Sequence, residues 1–178
     1  MKTPITILFL CAFAVFSVIV KNELLVDRSP LEALKIGQQM PDFTLTDAEG
    51  HEFRLNEVTA EKRLVMINFW ASWCGPCRIE MPGFEKIYTS KKDAGFTIIA
   101  INEDEERARA DTYLSEKPVS FPVLFDRDSA LMKRFGVRAL PTTIIVGHDR
   151  KIRQVTEGVS EYVSTMIQTY LKMDELKQ

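Results

Sequence analysis

Three features of the sequence predict an α/β sandwich with a mixed sheet. Two nearly continuous apolar runs, Leu64-Val65-Met66-Ile67-Asn68-Phe69-Trp70 and Phe96-Thr97-Ile98-Ile99-Ala100-Ile101, have the composition of strands covered on both faces. Stretches of helical length separate them and follow them, as layered α/β architectures require. Near the C-terminal end, Thr142-Thr143-Ile144-Ile145-Val146 and Lys151-Ile152-Arg153-Gln154-Val155 flank the turn Gly147-His148-Asp149-Arg150, a closing hairpin ahead of one last amphipathic segment.

The chain opens differently. From Pro4 to Val20 there is no charged residue, and a helix of that length would reach roughly 25 Å, near the lower limit for the hydrocarbon of a bilayer. Residues 1–20 are therefore expected to be a membrane anchor. The alternatives are a cleaved signal sequence, since Lys2 supplies a charged start and Ala12-Phe13-Ala14 resembles a small-x-small cleavage site, or a buried soluble helix. The apolar residues that continue beyond Ala14 favour the anchor, and anchor and signal alike put the rest of the chain outside the cytoplasm. Cys11 has no small residue directly before it and is read as a membrane-facing or packing cysteine. Lys2 on one flank faces Lys21 and Arg28 on the other, so charge does not orient the segment. Residues 21–33, which mix Leu24-Leu25-Val26 with charges and carry Pro30, read as a linker, leaving 34–178 as one domain.

Within that domain, alternation around Asp47-Ala48-Glu49-Gly50 predicts a small hairpin, from Met40 to Thr46 and from His51 to Leu55. Helical spacing at Cys77, Glu80, Phe84 and Ile87 predicts a helix from Pro76 to about Ser90, kinked at Pro82. Glu103 to Lys117 is expected to be a charged surface helix that ends before Pro118. Pro122 to Phe125 reads as a short strand, Ser129 to Phe135 as a helix stopped by Gly136. A final helix from Ser160 carries Tyr162, Val163, Met166, Ile167 and Tyr170 on one stripe.

A chain of 178 residues that is 46% hydrophobic can build one core, and 23 basic against 25 acidic residues give a formal charge of -2 without long basic runs. Nothing in that balance points to nucleic acid. Three cysteines are too few for a disulfide-stapled scaffold, and two of them form one C-x-x-C, Cys74-Gly75-Pro76-Cys77.

That motif lies where a buried strand hands over to a helix. The first turn of a helix has unsatisfied N–H groups and the positive end of the dipole, both of which favour an anion. A thiol at Cys74 is expected to ionise below the free value of about 8.5, making it a nucleophile near neutral pH. Cys77, three residues on, lies on the same helical face about one turn deeper and can reach back. Exchange then runs through attack by Cys74 on a target disulfide, followed by displacement of the target by Cys77. Gly75 permits the tight turn, and Pro76 in the first helical turn sacrifices no hydrogen bond.

Other uses of the motif fit less well. A zinc site would need further ligands, and the only histidines, His51 and His148, fall in predicted turns. A haem attachment motif would have histidine directly after the second cysteine, where Arg78 stands. A purely structural disulfide has no reason to sit at a strand end beside Trp70 and Trp73. No metal or cofactor is expected beyond a redox-active Cys74-Cys77 disulfide.

Trp73-Cys74-Gly75-Pro76-Cys77 after Asn68-Phe69-Trp70-Ala71-Ser72, together with Leu140-Pro141-Thr142 ahead of a strand, resembles the thioredoxin superfamily. Pro41-Asp42-Phe43-Thr44-Leu45 and Cys77-Arg78-Ile79-Glu80-Met81-Pro82 look like its TlpA/ResA-like membrane-anchored or periplasmic branch, over roughly Lys35 to the end. The resemblance implies a thioredoxin fold, a three-layer sandwich with a mixed β-sheet and an N-terminal β-hairpin extension. It implies that Pro141 is a cis-proline facing the C-x-x-C, and that Trp73, Gly75, Pro76, Leu140 and Pro141 form the substrate-binding surface, with the Leu140 backbone pairing to a bound strand. Cytoplasmic thioredoxins carry a buried Asp where Asn68 stands, and Asn68 cannot titrate. By the same resemblance Glu80 is the acid that moves protons at the cysteines, and burial under Trp73 and Pro141 would raise its pKa. The bland reading of Glu80 is a solvated helix carboxylate. Trp70 is expected to be a packing residue, Phe84, Ile87 and Tyr88 core.

Export and a Gly-Pro spacer favour a protein disulfide reductase working in an oxidising compartment. The resemblance implies a membrane thiol transporter as electron donor and exported disulfide proteins as substrates, apocytochromes c among them. Two alternatives stand beside it. A thiol peroxidase of peroxiredoxin-like type is hinted at by Met40 to Leu55 but contradicted by the sequence around Cys74, and a tethered binding module would not need both cysteines.

Overall fold

The computed structural model describes residues 34–175, so the anchor or signal expected at 1–20 and the linker at 21–33 lie outside the described residues. Among the described residues no helix is long and apolar enough to cross a membrane.

The sheet grows outward from β3, Leu64–Trp70, and β4, Phe96–Asn102, in which every residue is buried. They pair in parallel, Leu64 opposite Phe96 through Trp70 opposite Asn102. β5, Val123–Phe125, continues the parallel set beside β4. On the other side, β6 (Thr142–Gly147) runs antiparallel to β3, and β7 (Ile152–Glu157) closes the edge with a register shift at Ile145 and Val146. The five-stranded order β5-β4-β3-β6-β7 is the expected mixed sheet.

Alternation along these strands sends side chains to two cores, one on each face. Leu64, Met66 and Trp70 of β3 pack with Met81 and Phe84 of α2, Gly75–Lys91, with Ala110 and Tyr113 of α3, Arg107–Glu116, and with Val163, Ile167 and Leu171 of α5, Val163–Glu175. Val65, Ile67 and Phe69 face the other way, onto Leu55 of α1, Leu55–Glu61, and Leu131 of α4, Ala130–Arg134. The result is three layers. A separate hairpin of β1, Thr44–Thr46, and β2, Glu52–Arg54, precedes α1, with Leu45 opposite Phe53.

Several elements depart from the sequence reading. Both arms of the first hairpin are shorter than expected, because Leu55 turns inward as the first residue of α1, a helix that the alternating pattern hid. The charged helix starts at Arg107 instead of Glu103, and Glu103 and Asp104 are buried in the turn after β4. Tyr162 is exposed, not part of the buried stripe, since α5 begins only at Val163 and continues the stripe to Leu171. α2 runs through Pro82, which leaves the Arg78 carbonyl without its usual amide donor. The Tyr113 hydroxyl of α3 donates to that carbonyl at a long 3.5 Å.

α4 is short and depends on its ends. Asp126 accepts from the Ala130, Leu131 and Met132 amides at 3.1, 2.8 and 3.0 Å, satisfying the donors of its first turn. At the other end Gly136 takes φ 65°, and the Gly136 and Val137 amides donate back to the Lys133 and Met132 carbonyls, the stop expected at that glycine. Phe135 sits between, edge-on to Phe43 and to Phe69 with ring centroids 5.9 and 6.4 Å apart. It ties α4 to β3 and to the segment before β1. Phe135→Ala should therefore cost about 3–5 kcal/mol of stability through lost burial and the cavity left behind, measured by urea unfolding. A loss below about 1 kcal/mol would mean that α4 does not depend on this anchor.

Candidate functional site: the cysteine pair at the strand-to-helix turn

β3 ends at Trp70, and the chain makes one turn before α2 begins. The Cys74 amide donates to the Ala71 carbonyl at 3.1 Å, and Cys74 itself is the N-cap of α2, in extended backbone conformation. Gly75 and Pro76 open the helix, where a missing N–H leaves no bond unmade. Cys74 and Cys77 are joined by a disulfide, with Cα atoms 5.3 Å apart. The Cys77 amide donates to the Cys74 sulfur at 3.2 Å. This is the N-cap interaction that Ser or Asp usually provides, made here by sulfur.

The two sulfurs are not equivalent. Cys74 is 5% exposed and Cys77 1%, while Trp73, Gly75 and Pro76 around them are open to solvent. Trp73 projects from the rim with 64% of its surface exposed, whereas Trp70 is fully buried against Tyr113. The packing and rim readings of the two tryptophans agree with this placement.

Antiparallel pairing of Phe69 with Thr142 brings the segment before β6 to the same end of the sheet as the cysteine turn. The Leu140–Pro141 peptide bond there is cis. Leu140 packs against the cluster that contains both cysteines, and the buried Pro141 accepts from the Gly158 amide at 2.8 Å. Cysteines, Trp73, Leu140 and Pro141 thus share one end of the fold.

Glu80, one turn after Cys77, is buried, with only 8% exposed. Its Oε1 accepts from the Ser160 amide at 3.2 Å, and its Oε2 has no partner among the described residues. Desolvation raises its pKa, and the Ser160 hydrogen bond opposes the rise only in part. The solvated-carboxylate reading of Glu80 therefore fails. Burial comes from α2 and from the segment ahead of α5, where Ile79, Phe84, Val159, Ser160 and Val163 line a groove of about 380 Å³ beside it. Asn68 lies beneath the site, buried, its Nδ2 donating to Thr143 Oγ1 at 3.0 Å.

Two acids that the sequence placed on a surface helix lie at this same end of the sheet. Asp104 accepts from the Ser72 amide and hydroxyl, both at 2.9 Å, and from Asn102 Nδ2 at 2.7 Å. Glu103, whose amide donates to the Trp70 carbonyl, is 7% exposed, and among the described residues neither carboxyl oxygen makes a well-formed hydrogen bond. Burial pushes its pKa up to about 7, the Asp126 carboxylate adds to the rise, and the nearby Ser129 hydroxyl and Lys133 ammonium oppose it. The available signal was position. Both directly follow an all-buried strand, and loops at the carboxyl ends of parallel strands are where α/β folds build sites.

A cysteine pair at the N-cap of a helix, opposite a cis-proline on a mixed five-stranded sheet, defines a thioredoxin-like thiol-disulfide oxidoreductase. The chain belongs to the AhpC/TSA family, whose pattern matches residues 36–155. Its relatives include the thiol-disulfide oxidoreductase ResA of Bacillus thuringiensis, 33% identical over 141 residues and 79% of each chain. ResA of Halalkalibacterium halodurans is 34% identical over 83% of this chain and 80% of its own. Among solved structures, a Chlorobium tepidum protein assigned as thiol:disulfide interchange protein DsbE superposes with TM-score 0.72 at 28% identity, over 80% of this chain and 99% of that one. StoA of Bacillus subtilis, at 19% identity and TM-score 0.62 over 73% and 96% of the two chains, shares the fold.

Because the pKa of Glu103 is raised, its contribution to stability is complete below the ordinary carboxyl value of 4.5 and is lost as pH rises through about 7. Glu103→Gln should remove that loss, so the variant gains on the wild type between about pH 4.5 and 8, by about 1.4 kcal/mol for every tenfold by which burial strengthens proton binding. Urea unfolding at the two pH values measures it. An unchanged difference would show that Glu103 ionises normally.

Proposed function

We propose that this oxidoreductase works as a reductant outside the cytoplasm, giving electrons to disulfides of exported proteins, apocytochromes c among them, with Cys74 attacking and Cys77 resolving. The observation that carries the reading is the asymmetry of the pair. The Cys74 sulfur already accepts the Cys77 amide at the helix start, and Cys77 lies deeper. The charge-free run from Pro4 to Val20 supports residues 1–20 as tether or export signal, joined through 21–33 to a catalytic domain at 34–178.

In this reading the Cys74 thiolate attacks one sulfur of the target disulfide. That S–S bond breaks, and the departing sulfur leaves as a thiolate that takes up a proton. Cys77 then loses its proton, and its thiolate displaces the second target sulfur from Cys74, closing the ring. The target gains two electrons and two protons, and the pair returns to the dithiol form with two electrons from a membrane thiol transporter. Trp73, Gly75 and Pro76 on one side and Leu140 and Pro141 on the other would hold the target strand across the sulfurs.

Glu80 is the group proposed to take the Cys77 proton. Its buried place one turn beyond Cys77, an Oε2 without a partner among the described residues and a pKa that desolvation raises suit a carboxyl that takes up a proton and gives it back. Asn68, which cannot titrate, leaves that task to it.

Cys77→Ser is expected to accumulate mixed disulfides through Cys74, and mass spectrometry of the trapped species from cells would identify the targets. Equal trapping by Cys74→Ser would reverse the roles. The purified protein should reduce insulin disulfides and leave hydrogen peroxide unconsumed, and rapid peroxide turnover would favour a peroxidase instead. Glu80→Gln should slow resolution of the mixed disulfide by about tenfold or more and flatten its pH dependence, followed by stopped-flow fluorescence. A wild-type pH profile in that variant would remove Glu80 from the proton path.

A further inference from the structure

Asp104 is 2% exposed. A carboxylate that deep in a fold requires donors, and it has them from two directions. Asn102 Nδ2 donates at 2.7 Å, and Asp104 returns a bond from its own amide to Asn102 Oδ1 at 3.1 Å, so the carboxylate is fixed to the end of β4. The other two donors, the amide and hydroxyl of Ser72, belong to the turn that presents the cysteines. Ser72 is two residues before Cys74, and Ala71, its neighbour, accepts the Cys74 amide.

We infer that Asp104 is a positioning residue for the reaction, acting through Ser72 to hold the turn that sets the Cys74 sulfur at the N-cap of α2. The inference rests on the proposed role of Cys74 as the attacking thiol. Hydrogen bonds to a charged acceptor are roughly twice as strong as neutral ones, and two on one residue fix both its backbone and its side chain. In the oxidised form the Cys74–Cys77 bond already pins the sulfur to the helix. In the dithiol form that covalent tie is absent, and the Ser72–Asp104 clamp is what keeps the sulfur in line with the Cys77 amide. Helix-end stabilisation falls off within the first turn, so a sulfur free to wander loses it.

The sign of the effect is fixed by choosing Ser72. Ser72→Ala removes one donor from Asp104 and loosens the turn. A less satisfied anion nearby and a less ordered N-cap both disfavour the thiolate, so the thiol of Cys74 becomes less acidic. Ser72→Thr keeps the hydroxyl and serves as the rescue.

The test is the pH dependence of Cys74 alkylation by iodoacetamide in the reduced full-length protein, read at that cysteine by mass spectrometry from about pH 5 to 9. Ser72→Ala should move the titration of Cys74 upward by about half a pH unit or more, a roughly threefold lower rate on the acid limb. Ser72→Thr should follow the wild type, and in the Asp104→Asn background Ser72→Ala should add little, because its partner is already altered. A wild-type profile for Ser72→Ala, even with a lower melting temperature, would overturn the inference and leave a merely structural contact. So would a full effect in the Asp104→Asn background. Failure of the role assigned to Cys74 shows separately, as mixed disulfides trapped through Cys77 with the clamp effect on Cys74 intact.

Discussion

At the start of α2 the Cys77 amide points at the Cys74 sulfur from 3.2 Å, and the surrounding architecture holds that contact in place. A helix N-terminus stabilises negative charge because its first amides lack partners, and most helices fill the position with a hydroxyl or carboxylate. Here the position is filled by an atom that can carry charge in one redox state and a covalent bond in the other. Chemistry and capping thus share one sulfur, and anything that displaces it affects both.

The sheet brings the other parts to that atom. Parallel pairing of β3 with β4 sets the Asn102–Asp104 corner beside the cysteine turn. Antiparallel pairing of β3 with β6 puts the cis Leu140–Pro141 bond at the same end. Glu80 arrives along α2, and Ser160, 80 residues further along the chain, supplies a hydrogen bond to it. Each partner reaches the site through a different element: the corner after β4 bonds the turn itself, Leu140 ahead of β6 packs against the cluster that holds the cysteines, and Ser160 ahead of α5 bonds Glu80 of α2. Groups that ionise are kept dry in this region, and Glu80 and Glu103 both titrate above their ordinary value for that reason.

Much of this was legible in the residues themselves. Leu64 to Trp70 and Phe96 to Ile101 announced central strands because nothing polar interrupts their faces apart from Asn68 and Thr97, and Gly136 announced the end of α4 through its freedom to adopt positive φ. The cysteine motif is local, so strand, turn and helix start could be read from adjacent positions. The cis bond at Pro141 and the burial of Glu80 came only from resemblance to a known superfamily. Local pattern carries no information about a groove whose far wall is Val159 and Ser160. Glu103 and Asp104 were misplaced for a related reason. They run into Glu105 and Glu106 and look like one solvated acidic stretch, yet two of the three donors that make burial of Asp104 tolerable lie 32 residues away at Ser72. α1 was missed because Leu55 completes a strand-like alternation and its inward turn depends on packing beneath β3.

The chemistry stands on a difference between two sulfurs three residues apart. Recording the 13Cβ shifts of both cysteines in the reduced protein across pH measures that difference directly, one site at a time. Cys74 should titrate below the free thiol value of about 8.5, and Cys77, deeper and without a helix-end donor of its own, above it. Titration of both at the free value, or of Cys77 first, would contradict the account.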